Sequence, residues 1–240
     1  MSLALRRAAS QLASSFSPLQ VGWTHAYWAE GPEFVALGLS DGGAVGTWPD
    51  EIGTLDATQG TVGAKPTYRA TTGPNSKPTV QFDGGDHLVT SALTQAQPLT
   101  VVFIASVDSS TTTKYYAGNA GITIGVGYNN APPVNRQLSM YAGAGATGNS
   151  AASSDNNPHM MRAYFNGASS VNDLDGTTAT VSPGANGFSS SALHLGAIGG
   201  VAQLVGKMAF FGVFNGDVTG DAKWAQFKAW VTSHYGITVA

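Results

Sequence analysis

The run LTVVFIASV, Leu99–Val107, limits the possible folds more than any other stretch of the chain. It is apolar almost throughout and rich in β-branched side chains. An unbroken run of this kind, rather than an alternating one, predicts a strand buried on both faces. MAFFGVF, Met208–Phe214, reads as a second central strand. Shorter strand signals lie at Thr79–Phe82, His87–Thr90, Tyr115–Tyr116, Ile122–Val126, Leu138–Tyr141, Met160–Phe165, Thr178–Val181 and Leu193–Leu195. Clusters of Gly, Asn, Pro and Ser separate them, which predicts many short strands joined by turns.

The period becomes helical only near the two ends. Trp224, Phe227, Val231 and Tyr235 fall on one helical face, with Thr219 as an N-cap and Gly236 as the stop. Leu5, Ala9, Leu12 and Phe16 share a face of a short amphipathic helix that ends at Pro18. The reading is therefore all-β: a two-sheet antiparallel β-sandwich with a short N-terminal helix and one C-terminal helix. Residues 1–19 are expected to form an attachment segment and residues 20–240 the sandwich domain.

Composition removes several functional classes. Charged residues are only 10% of the chain, and the net charge is −3 with no basic cluster beyond Arg6-Arg7. A surface that tracks nucleic-acid phosphates is not expected. Cysteine is absent, which excludes disulfides, thiolate catalysis and cysteine-held metals. No apolar run approaches the roughly 20 residues a membrane-spanning helix needs, so no membrane insertion is expected.

Several segments, taken in order, resemble the concanavalin A-like, laminin-G-type jelly-roll domains of bacterial surface proteins and bacteriophage virion proteins. They are AVGTWPDEIG (Ala44–Gly53), KPTVQFDGGDHL (Lys77–Leu88), YFNGASS (Tyr164–Ser170), LHLGAIGG (Leu193–Gly200), VGKMAFFGVF (Val205–Phe214) and SHYGI (Ser233–Ile237). The resemblance implies a jelly roll on a virion surface, as a minor tail, capsid decoration or fibre protein. Its partners would be other virion proteins, host-cell glycans or further copies of itself. The alternative is an extracellular or bacterial cell-surface carbohydrate-binding or adhesion module.

Candidate sites follow from residue types. In Asp83-Gly84-Gly85-Asp86 the two aspartates could hold calcium as a cofactor, or the four residues could form a tight turn between two strands. Tyr115, Tyr116, Tyr128, Asn130 and Tyr141 combine aromatic faces with an amide, as a carbohydrate-stacking surface requires. No catalytic residue is assigned. The three glutamates, Glu30, Glu33 and Glu51, all precede the strand series and lack the alternate-residue spacing of a retaining glycanase, so a non-enzyme is expected.

Overall fold

The computed structural model describes residues 16–108, 113–129, 137–143, 147–148 and 156–240. In chain order the strands are β1 (His25–Trp28), β2 (Thr47–Trp48), β3 (Ala57–Thr58), β4 (Thr67–Arg69), β5 (Thr79–Asp83), β6 (Leu88–Gln95), β7 (Leu99–Val107) and β8 (Lys114–Asn119). They continue with β9 (Gly125–Asn129), β10 (Gln137–Tyr141), β11 (Thr147–Gly148), β12 (His159–Phe165), β13 (Ser170–Leu174), β14 (Thr177–Val181), β15 (Phe188–Leu195) and β16 (Val205–Asn215). The α-helices are the single turn α1 (Pro32–Val35) and α2 (Trp224–Tyr235).

The strands form two antiparallel sheets that pack as a sandwich, as the sequence predicts. The first sheet runs β14-β13-β12-β7-β16-β5-β4, with β1 added along the second half of β16. The second runs β11-β10-β9-β8-β15-β6-β3-β2. Every residue of β7 is buried, and the reason is layered. Val101 and Phe103 point into the core between the sheets. Val102 and Ile104 point the other way, into a second core beneath α2. The face of α2 read from the sequence is the buried one, comprising Trp224, Phe227, Val231 and Tyr235. Gly236 ends the helix in the left-handed region at φ 71°.

Three expectations change. Thr219 does not cap α2; it sits in a separate 3-10 turn at Val218–Gly220, where its backbone N–H donates to Asp217. The chain turns again through Asp221 before the helix begins at Trp224. The strand expected from Ile122 begins instead at Gly125. Asn119 holds the preceding residues in a tight turn, its Oδ1 accepting from the backbone N–H groups of Thr123 at 2.8 Å and Ile124 at 3.1 Å.

The third change concerns Asp83-Gly84-Gly85-Asp86. It is a turn, but it does not close a hairpin, because β5 lies in the first sheet and β6 in the second. Val80, Phe82 and Leu88 are fully buried in the one inter-sheet core, so the segment carries the chain across the edge of the sandwich. Gly84 adopts φ 100°, and a Cβ there would lie 2.9 Å from Val205 Cγ2. Of the N-terminal segment expected at 1–19, residues 1–15 lie outside the described residues. Pro18–Gln20 form a 3-10 turn, and Phe16 packs beside Trp230.

Candidate functional site

Among the described residues, no helix lies on the outer face of the second sheet. On β10, Leu138 and Met140 point into the core, which turns Gln137, Ser139 and Tyr141 outward. Tyr141 lies directly opposite Gly125 on β9. The Tyr115 ring, from β8, reaches over the same glycine: a Cβ built at Gly125 would lie 3.1 Å from Tyr115 Cδ1. Two half-buried tyrosines thus flank Gly125, which is itself buried. Burial, and then the neighbouring Tyr141, raise the Tyr115 hydroxyl above the usual tyrosine value. It is therefore a neutral donor and acceptor near pH 7.

The loop between β15 and β16 walls this face on one side. Ile198 is 2% exposed and sits over Gly118 and Gly125, where added Cβ atoms would lie 2.6 and 2.8 Å from its side chain. The same loop presents Val201, 53% exposed, and Gly199 abuts Ile122, which is 46% exposed. Aromatic rings, hydroxyls and a small apolar rim are what a pyranose ring stacks against.

The remaining residues of the expected surface go elsewhere. Tyr116 and Tyr128 are both 0% exposed and belong to the inter-sheet core, with the Tyr116 ring 4.6 Å from that of Phe103. Their assignment to a carbohydrate surface is corrected. Adjacent strand residues point to opposite faces, so placing Tyr115 outside puts Tyr116 inside. Asn130 lies outside the described residues.

Asp83 and Asp86 spend oxygens on the turn. Asp83 Oδ1 accepts from Gly85 N at 2.8 Å, and Asp86 Oδ2 accepts from Asp83 N at 3.1 Å. The oxygens left over are far fewer than the six to eight that calcium takes. Among the described residues no group of three or more His, Asp or Glu side chains is arranged to hold a metal. Burial, opposed by the Asp83 N–H but reinforced by the Asp83 carboxylate, pushes Asp86 up to about 6. A carboxyl raised from 3.8 makes the folded state bind more protons between those values, so stability falls as pH rises through that window. Asp86→Asn keeps the oxygen that accepts from Asp83 and removes the charge. We expect it to stabilise the protein by on the order of 1 kcal/mol at pH 7 and not at pH 4, read by denaturant titration at both pH values.

The five histidines all have neighbours. His25 pairs with Asp50 and His234 with Glu30, at 2.7 and 2.8 Å, and His159 pairs with Asp175. His87 and His194 stack with ring centroids 5.4 Å apart. Burial lowers both of their pKa values, and His87 adds to the effect on His194. These pairs join strands and turns distant in sequence, which is why no spacing motif announced them. Carboxylates come together in a cleft of about 510 Å³ beside α1, lined by Glu33, Asp50, Glu51 and Asp56. Glu51 accepts from Glu33 N and Phe34 N at the start of α1, at 3.1 and 3.0 Å. Burial raises its pKa despite those two bonds.

No protein-family model and no curated protein sequence matches the chain. Solved structures do. Trypanosoma rangeli sialidase in complex with the inhibitor DANA matches with a TM-score of 0.55 at 15% identity, over 90% of this chain and 36% of that one. The same sialidase in complex with sialic acid gives 0.53 at 14%, over 82% of this chain and 32% of that one. Domain 4 of AbnA, a GH43 extracellular arabinanase from Geobacillus stearothermophilus bound to arabinotriose, gives 0.48 at 11%, over 66% and 77%. At such identities the sialidase likeness is one of fold alone, that of a two-sheet antiparallel sandwich. This chain spans about a third of the sialidase chain. The comparison corrects one expectation: the chain matched over 90% of this one is a sialidase, an enzyme, so the assignment of this protein as a non-enzyme does not stand.

Proposed function

We propose that this chain is a carbohydrate-recognition sandwich, binding glycan through Tyr115 and Tyr141 on the outer face of the second sheet. The observation that carries the reading is the pair of half-buried tyrosines flanking Gly125 on a face that, among the described residues, no helix covers. The fold shared with a sialidase supports the same ligand class. Tyrosine suits this work, since its ring stacks on the apolar side of a sugar while its hydroxyl bonds the rim.

The test is a glycan array with the full chain, followed by titration of the best ligand against Tyr115→Ala and Tyr141→Ala. Each variant is expected to weaken binding about tenfold, near 1.4 kcal/mol, with an unchanged melting temperature. Wild-type affinity in both variants, or silence across the array, overturns the reading.

The setting we propose is an exposed surface, that of a bacteriophage virion or a bacterial cell. The ordered motifs from Ala44–Gly53 to Ser233–Ile237 support it. Several copies on one particle would turn modest affinity for each sugar into avidity. Antibody against the chain should then label intact particles or cells; labelling only after lysis argues against the setting.

A further inference from the structure

On the outer face of the first sheet, β7 and β16 change character where α2 stops. Val102 and Ile104 on β7 and Phe210 on β16 lie beneath the helix. Further along that face of β7 come Ser106 and, one residue past the strand, Asp108. Lys207 on β16 stands directly opposite Ser106. Beyond the turn at Gly236 these polar residues floor a cleft of about 600 Å³, with Thr72 and Thr238 among its walls. That is the size of a small-ligand site.

Among the described residues, the side chains of Ser106, Asp108 and Lys207 make no hydrogen bond or ion pair. Asp175, also in the cleft, is already engaged, with Oδ1 accepting from Met160 N at 2.8 Å and Oδ2 bonded to His159. One free ammonium, one free carboxylate and several hydroxyls therefore face the same space.

We propose that this cleft binds a carboxylated sugar, with Lys207 receiving the carboxylate and Asp108 and Ser106 taking ring hydroxyls. A carboxylate accepts well from an ammonium, and a second carboxylate accepts well from sugar hydroxyls. A phosphate dianion meets only one cation here and is repelled by Asp108. A neutral sugar leaves Lys207 uncompensated. An amino-acid zwitterion matches both charges but brings no hydroxyls for Thr72, Ser106 and Thr238.

The cleft lies on the opposite sheet from Tyr115 and Tyr141, so each proposal can fail without the other. The experiment titrates the full chain with D-glucuronate and with D-glucose, following backbone amide resonances of Gly73, Gly236 and Ile237 by NMR. Glucuronate is expected to shift them and glucose not to. Lys207→Met should weaken glucuronate binding about tenfold or more, as loss of a charged hydrogen bond does. Lys207→Arg should retain it, and the Tyr115→Ala variant should bind as wild type. Equal shifts with both sugars, no shift with either, or wild-type affinity in Lys207→Met overturns the proposal.

Discussion

Phe227→Ala should cost about 3–5 kcal/mol of stability, the usual range for emptying a buried aromatic site. Phe227 is 0% exposed and its ring meets four others, those of Trp23, Phe210, Trp224 and Trp230. Those partners come from the segment before β1, from β16 and from α2 itself, so none can close the cavity without pulling on another element. In a chain of this length the loss lowers the melting temperature by on the order of 10 °C. Differential scanning calorimetry of Phe227→Ala beside Phe227→Leu checks it, the leucine variant losing less. A loss under about 1 kcal/mol for the alanine variant would mean that α2 is not an integral layer of the fold.

Asp50→Ala is expected to be comparably damaging, for an electrostatic reason. The Asp50 side chain is 0% exposed and accepts from His25 Nδ1 at 2.7 Å, Ala26 N at 3.0 Å, Leu55 N at 3.2 Å and Ile52 N at 3.3 Å. Removing it strands one buried and three partly buried donors at once, a change that typically costs about 3–5 kcal/mol. Burial pushes the Asp50 carboxyl upward. The bonds from His25, then Ala26 and Gly53, outweigh burial and hold the pKa below the ordinary 3.8. A depressed carboxylate pKa contributes stability that is present above 3.8 and is lost as pH falls through the folded value. The wild-type protein should therefore lose stability below about pH 4 more steeply than Asp50→Ala. Parallel acid-denaturation curves for the two would show that the carboxylate is not the anchor.

How far the sequence reveals this molecule depends on whether a residue's surroundings are local. Leu99–Val107 announces burial on both faces because every position in the run is apolar, and the structure puts a core on each side. Trp224, Phe227, Val231 and Tyr235 mark a helix face through their spacing alone. Asp83-Gly84-Gly85-Asp86 is legible as a turn, yet which sheet each flank joins is set by strands far along the chain. Tyr115-Tyr116 is similar: alternation dictates that one ring is out and one in, but only pairing with β9 says which. Lys207 meets Ser106 solely because β16 lies against β7, and no motif in either strand announces it. The end of LTVVFIASVD, where Ile104 is followed on one face by Ser106 and Asp108, is the sequence trace of that cleft.

The pairing of β1 with β16 has a consequence for how the protein is made. His25 stands opposite Val213, and Trp23 packs on Phe210, Phe214 and Phe227. On a ribosome these early residues emerge long before the strand and helix that receive them. Until then β7, apolar on both faces, has neither β16 beside it nor α2 above it. The first sheet cannot close until β16 has been made, and its central strand waits as an adhesive segment while the roughly one hundred residues between Val107 and Asn215 are added. Slower elongation cannot help the first strand to fold early, because its partner has yet to be made. A host that holds nascent chains apart should raise the soluble yield of this protein more than one that merely translates it slowly.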